Sequence, residues 1–336
     1  MSCFSFKVSF LQGSQCLMIS YPSAAHKFVL DTVMGRLRCI LGTIPAPASD
    51  LYCQVSPHSP GHRSESIDAA PDLMVKMWSR SCENPRRVPR TIWLIENACS
   101  QSDGDVMDKL RASVHDVLDL LVVCKILFKE GTPYHSPGSR GSTVKRLRLS
   151  ERLSWPEWES NYGNPHEYAR MVVDDYTWFS PSSVKFYVWI RKPGESKIDL
   201  DSLSGDGYAF GVCPHFMPCQ RFNTDNSIIR PECQRLYPTV DLDEVDNAFR
   251  RGLELTKATM LGLDIPNMDL NGWLFPARVI HPERYVFALE DGAWWTVYQR
   301  YRKWYDNEKK SRDRSHRRQT ARACASHEAS AQLNSV

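Results

Sequence analysis

The sequence predicts a mixed α/β (α+β) fold whose main sheet is built from helices and strands in the order αβββαβ. Three observations support this. An amphipathic helix pattern covers residues 24–41, three short strand patterns follow before residue 96, and a second helix pattern leads into a continuous apolar run. Helical and strand segments that alternate in this way are typical of domains in which helices pack on a sheet. With 336 residues, of which 42% are hydrophobic, the chain can bury a sizeable core.

The first helix is predicted over residues 24–41, because apolar side chains recur there at helical spacing. Residues 51–55 form the first predicted strand. The second covers residues 71–78, where Leu, Val and Met alternate with Met, Lys and Trp. The third covers residues 91–95, which are all β-branched, aromatic or aliphatic, and it ends at the carboxylate Glu96. A buried strand of this kind delivers an acid to the edge of a sheet.

The second helix is predicted from about Asp105 to His115. Asp103 is its predicted N-cap, since a side-chain oxygen there can accept a hydrogen bond from the free N–H groups of the first turn. The run Leu120–Phe128 is almost entirely apolar and has the length of a strand, which indicates a strand buried on both faces. This helix and this strand complete the αβββαβ order.

Changes in composition divide the chain into five segments. A Gly-, Ser- and Pro-rich basic stretch separates the predicted core from an aromatic-rich extension, and the last residues lack apolar periodicity, which predicts disorder. The segments are an N-terminal arm (1–23), the core (24–130), a basic linker (131–150), the extension (151–310) and a basic tail (311–336).

Within the extension, Val184–Arg191 alternates as a strand, Asp241–Leu261 is a predicted helix with an acidic first turn, and Arg278–Leu289 has strand character. Residues 294–310 carry aromatic and basic side chains at helical spacing. Their rings fit two interpretations. They could stack on nucleic-acid bases, or they could pack into the core while the Arg and Lys stems point outward.

Composition and charge exclude some classes of protein. The eleven cysteines have no regular spacing, no secretory signal is recognisable, and no apolar run approaches the roughly eighteen residues of a membrane span. We therefore expect a nuclear or cytoplasmic protein that is not secreted and has no membrane partner. A net charge of +3 is too small to indicate nucleic-acid binding by itself, but Arg302–Arg322 holds nine Lys and Arg against three Asp and Glu.

Two carboxylates, Asp72 and Glu96, are carried by the second and third predicted strands. Mg²⁺ prefers hard oxygen ligands, so a pair of strand-borne acids indicates a divalent-metal site. Asp72 could instead be a turn acid after Pro71. Glu96 is harder to explain as a structural residue, because an unpaired carboxylate at the end of a buried strand is costly.

The residues around these acids resemble a known superfamily. Pro71-Asp72, then Ile95-Glu96-x-x-x-Ser100-Gln101-Ser102, then a helix and an apolar strand, is similar to the motif of PD-(D/E)XK, or restriction-endonuclease-like, proteins. It most resembles members from mushroom-forming fungi, which carry a Glu followed by a Ser-Gln-Ser turn. The resemblance covers roughly residues 24–130, and residues 139–211 resemble an extension found in that group.

The resemblance implies an αβββαβ restriction-endonuclease-like core and cleavage of DNA phosphodiesters that depends on Mg²⁺ (or Mn²⁺). It places Asp72 and Glu96 as metal ligands. The superfamily has a lysine two residues after the acid, which helps to orient water and stabilise the phosphate. That position is Ala98 here, so Gln101 or Lys109 is the expected polar substitute.

Several alternatives remain open at this point. The same fold could be a non-catalytic module that binds nucleic acid or protein, which the Ala98 replacement favours, or the product of a decayed mobile-element gene. Ser100, Gln101 and Ser102 could simply cap the following helix. Asp31, on the first helix, is a further candidate acid.

A second candidate metal site lies in the extension. Cys213, His215, Cys219 and Cys233 offer four soft ligands that could hold zinc, although their spacing matches no standard zinc finger and loop cysteines that only pack are commoner. The sequence leaves the oligomeric state open.

Overall fold

A computed structural model describes residues 7–11, 16–20, 23–45, 51–57, 67–69, 71–79, 89–98, 102–138, 141–162, 171–174, 176–213, 242–263 and 268–333. The chain divides into two compact units. Unit 1 comprises Met1–Gly131 with Pro181–Ala293, and unit 2 comprises Thr132–Ser180 with Trp294–Val336.

The described residues form a mixed α/β structure with six helices and a mostly antiparallel six-stranded sheet, which confirms the predicted class. The helices are α1 (Ala24–Leu41), α2 (Asp103–Asp116), α3 (Ser142–Leu149), α4 (Trp155–Tyr162), α5 (Asp243–Leu261) and α6 (Pro282–Leu333). The strands are β1 (Lys7–Leu11), β2 (Cys16–Ser20), β3 (Leu51–Pro57), β4 (Ile67–Ala69), β5 (Leu73–Ser79), β6 (Arg90–Ala98), β7 (Val122–Glu130), β8 (Met171–Val173), β9 (Tyr176–Phe179), β10 (Pro181–Ile190) and β11 (Tyr208–Cys213). None of these helices combines the length and the apolar character that crossing a bilayer requires.

The six-stranded sheet of unit 1 has the strand order β11-β10-β7-β6-β5-β3. Its neighbouring strands are antiparallel except for β6 and β7, which run parallel because α2 carries the chain back between them. From α1 to β7, the elements of this sheet and its helices follow in the predicted order helix, strand, strand, strand, helix, strand. The short strand β4 interrupts the order but belongs to a separate sheet, β2-β1-β4.

Helices cover both faces of the central strands, which explains why β6 and β7 have nearly continuous apolar sequences. On one face, which we call the α2 face, Leu94 of β6 clusters with Val106 and Leu110 of α2. On the opposite face, Trp93 of β6 packs edge-on against Phe249 of α5, with ring centroids 5.6 Å apart. The Trp93 indole N–H also donates to the α5 side chain of Thr256 at 2.9 Å.

The structure differs from the predicted elements in two places near α2 and α6. Ser102, rather than Asp103, caps α2, because its hydroxyl accepts the N–H of Asp105 at 3.1 Å. The strand predicted over Arg278–Leu289 is wrong. The N–H groups of residues 279 and 280 donate to an Asp246 carboxylate oxygen, both at 2.7 Å, and α6 then begins at Pro282, a residue suited to the first helical turn.

The basic tail, which the sequence predicts to be disordered, continues α6 as far as Leu333. Side chains from Lys309 to Ala321 are exposed, so this part of the helix is not held by packing. The prediction rested on the absence of an apolar face, and such a segment can be helical when it extends a helix already nucleated by packing upstream.

Unit 2 has an aromatic core. The rings of Trp158 in α4, Trp178 in β9 and Tyr301 in α6 are all fully buried, and the centroids of Trp158 and Tyr301 lie 4.4 Å apart. Tyr298 and Trp304 of α6 are buried with them. For these α6 rings, the structure therefore supports packing rather than stacking on nucleic-acid bases.

Substitution of a glycine in α5 would test how tightly this helix packs on the sheet. A Cβ atom at Gly252 would lie 2.6 Å from Cγ2 of Val122 and 3.0 Å from Cζ2 of Trp93, so Gly252→Ala should lower the free energy of unfolding by about 1–3 kcal/mol through overpacking. A Cβ atom at Gly35 in α1 would have nothing within 4 Å. Because glycine is unfavourable inside a helix, Gly35→Ala should raise the free energy of unfolding by about 0.5–1 kcal/mol. Urea unfolding measures both, and equal effects of the two changes would contradict the packing described.

Candidate active site

Glu96 lies near the carboxyl end of β6 and is only 2% exposed. Its Oε1 contacts the ammonium group of Lys109, which α2 carries on its buried face together with Val106, Leu110 and Ser113. Lys109 is equally buried, at 2% exposure. The structure thus brings two of the predicted site residues together as a buried ion pair.

Asp72 immediately precedes β5 and is 1% exposed. Leu73 pairs with Ile95 as the last pair of the antiparallel β5/β6 ladder, and Asp72 and Glu96 are the residues next to that pair on the two chains. The two predicted metal ligands therefore occupy the same end of the sheet.

The carboxylate of Asp72 has partners other than those of Glu96. Its Oδ2 accepts the main-chain N–H of Asn97 at 2.8 Å and lies 3.7 Å from Nε2 of His26, in the first turn of α1. The Asn97 side-chain amide donates to the main-chain oxygen of His26 at 2.8 Å. Asn97 therefore connects Asp72, the end of β6 and the start of α1. Neither His26 nor Asn97 was predicted as a site residue.

Lys125 is a further buried cation that the sequence analysis missed. In the parallel β6/β7 ladder it is paired with Glu96, and in the β7/β10 ladder it is opposite Tyr187. Its ammonium group is 2.8 Å from Oδ1 of Asp103 and 4.1 Å from the centroid of the Tyr187 ring. Glu96, Lys125 and Tyr187 thus form one row across three strands on the α2 face.

The row places a protonated phenol beside the lysine. Burial raises the pKa of the Tyr187 hydroxyl, and the nearby Asp103 carboxylate raises it further. The hydroxyl therefore keeps its proton at neutral pH and is available as a hydrogen-bond donor.

The signal that could have revealed Lys125 was a single charge inside an otherwise apolar run, Leu120–Phe128.

Ala98 occupies the position at which the resemblance expects a lysine. It is 1% exposed and belongs to the apolar cluster that also contains Leu94, Val106 and Leu110. Alternation along β6 gives residues 94, 96 and 98 the same face. Lys109 and Lys125 therefore supply positive charge from α2 and β7 on the face where the expected lysine would have stood.

Ser102 and Asp31 are the remaining predicted residues that the structure describes. Ser100 and Gln101 lie outside the described residues, and Ser102 caps α2. Asp31 is exposed on α1, and no group of three or more Asp, Glu, His or Cys side chains that could hold a metal occurs in the part of the chain that the structure describes.

The donor chemistry of the two acids fits Mg²⁺ or Mn²⁺. Mg²⁺ keeps several waters and is commonly held by one or two carboxylates together with substrate phosphates, so Asp72 and Glu96 could suffice. Of the four candidate zinc ligands, Cys213 is the one that lies within the described residues. It is buried at the end of β11, where burial raises the pKa of its thiol, while His215, Cys219 and Cys233 lie outside the described residues.

Comparisons of this chain with protein-family models, with curated proteins and with solved structures find no match.

The buried ion pair can be tested by stability. Lys109→Met leaves the Glu96 carboxylate buried without its lysine, so the free energy of unfolding should fall by about 3–5 kcal/mol. Adding Glu96→Met should restore most of that loss, because a pair of apolar side chains needs no charge partner. Chemical denaturation of the two single variants and the double variant measures this.

Arg111→Met is the matched control on the same helix. Its ion pairs with Asp108 and Asp201 are exposed, so little stability should be lost. An equal effect at Arg111 and Lys109, or no recovery in the double variant, would contradict a tightly buried pair.

Proposed function

We propose that this protein is a PD-(D/E)XK-type nuclease, which hydrolyses DNA phosphodiesters with the help of Mg²⁺ or Mn²⁺. The observation that carries the proposal is the buried Glu96–Lys109 pair near the end of the central strand β6, with the carboxylate of Asp72 bound to the main-chain N–H of Asn97 at the same end of the sheet. Carboxylates for a metal and an ammonium group for a phosphate are the groups that this chemistry requires.

The order of the helices and strands and the pairing of the central strands also support the proposal. The succession α1, β3, β5, β6, α2, β7 and the parallel pairing of β6 with β7 are compatible with a restriction-endonuclease-like core. Asp72 stands before the second of these strands and Glu96 near the end of the third, the positions at which the resemblance expects its two acids.

Each residue has a separate role in the proposed site. Asp72 and Glu96 would hold the metal, which when bound neutralises charge on the phosphate and makes a coordinated water more acidic. Lys109, which contacts Glu96, would donate to a phosphate oxygen. Lys125, held between Asp103 and the Tyr187 ring, adds a second positive charge to the same face.

A second candidate function is a non-catalytic module that binds nucleic acid or protein on the same fold. Ala98 favours it, as do the protein partners that both acids already have. Ala98→Lys would not be a simple restoration of the motif lysine, because the new ammonium group would be placed among the apolar side chains that surround this position.

The nuclease proposal is tested by plasmid nicking with Mg²⁺ or Mn²⁺. Glu96→Gln and Asp72→Asn remove one negative charge each from the proposed metal site, so either should lower the cleavage rate by about 10²-fold or more. Asp108→Asn, an exposed acid next to Lys109 on α2, should leave the rate unchanged.

Three results would separate the candidate functions. Metal-dependent cleavage that is lost with Glu96→Gln, while the far-UV circular dichroism of the variant matches that of the wild type, supports the nuclease. Cleavage that persists in EDTA, or that Glu96→Gln retains at the wild-type rate, contradicts it. Absence of cleavage with salt-sensitive DNA binding intact favours the binding module.

A further inference from the structure

The exposed part of α6 carries basic side chains along one face. Successive residues of an α-helix are rotated by about 100°, so five cations fall within an arc of about 100°. We call them the basic stripe, and they are Lys303, Lys310, Arg314, Arg317 and Arg318. All five are exposed. At about 1.5 Å per residue the stripe extends over about 22 Å of helix.

The helix itself offsets only part of the charge of the stripe. Asp306 and Asp313 lie three or four residues from Lys303, Lys310 or Arg317, but no acid is placed in this way for Arg314 or Arg318. Within the part of the chain that the structure describes, none of the five cations forms an ion pair. Lys310 with Arg314, and Arg314 with Arg318, are like-charge pairs at i,i+4, which destabilise an isolated helix. An anionic partner along this face would remove that repulsion.

The composition of the segment selects among anionic partners. Residues 306–321 contain no apolar side chain larger than that of Ala321. An amphipathic helix that binds a lipid surface needs an apolar face to insert between the headgroups, so a membrane is disfavoured. A regular line of phosphates, in contrast, needs only a line of cations.

We propose that the basic stripe of α6 binds the phosphate backbone of nucleic acid without reading its sequence. The inference deepens the proposed nuclease function and rests on it for the choice of partner. The rings of Tyr298, Tyr301 and Trp304 on the same helix are buried, so they do not offer bases a stacking surface. Binding through the stripe is therefore electrostatic and falls steeply with salt.

The test compares two charge-matched variants of the full chain. Arg314→Gln with Arg318→Gln removes two cations from the stripe, and Lys309→Gln with Arg312→Gln removes two cations from other faces of the same helix. Both are made in the otherwise unchanged chain and measured in EDTA, so that metal-dependent cleavage does not interfere. The probe is a short fluorescein-labelled DNA duplex, and its anisotropy is followed at increasing KCl concentration.

A plot of log affinity against log salt concentration falls as a straight line, and each lost phosphate contact makes that line less steep by about 0.9. The line of the stripe variant should therefore be less steep than that of the wild type by about 1.8, and the variant should bind about tenfold more weakly at low salt. In the control variant, the salt dependence and the affinity should change clearly less. Far-UV circular dichroism checks that both variants keep their helix content.

The outcomes also separate this inference from the nuclease proposal. If the stripe variant and the control change the slope equally, or if neither changes it, the inference is overturned even when the wild type cleaves DNA. It is also overturned if phosphatidylserine vesicles or polyglutamate bind more tightly than the duplex with the same dependence on the stripe. If the wild type fails to cleave but the stripe variant alone loses DNA binding, the inference stands and the nuclease proposal fails.

Discussion

The buried ion pair of Glu96 and Lys109 is the constraint on which the candidate site depends. Removing two charges from water is expensive, and a buried pair is often no more stabilising than two apolar side chains of similar size. Each partner is costly without the other, so the β6 acid requires that α2 dock with Lys109 facing the sheet. A chain that needed only a stable core would be served as well by a methionine and a leucine, which is why we interpret the pair in chemical terms.

Much of unit 1 follows from local sequence. Helix α1 has the predicted bounds, because its apolar periodicity and its Ser23 cap are both local features. The apolar run of β7 is likewise visible in the sequence, and so is the carboxylate near the end of β6, although β6 continues two residues beyond the predicted end at Glu96, to Ala98. Asp72 and Glu96 could therefore be chosen as candidates, since an acid at a strand end can be recognised without knowing what lies beside it.

The partners of those acids could not be predicted in the same way. Lys125 is adjacent to Glu96 only through the parallel register of β6 and β7, and periodicity alone cannot supply that register. His26 meets Asp72 because α1 packs near the end of the sheet, a contact between residues distant in sequence. The basic segment of α6 was predicted to be disordered because it lacks an apolar face, whereas the packed rings upstream give it a helix to extend.

The absence of a lysine at Ala98 changes how the site is assembled. When acid and lysine are two residues apart on one strand, a single piece of backbone fixes their spacing. Here the acid is on β6 and the cation is on a helix, so their distance is set by the docking of α2. Proteins open locally in cooperative segments at free energies below that of global unfolding. Any opening that moves α2 away from the sheet therefore separates Glu96 from Lys109, so the candidate site can be no more stable than the docking of this one helix.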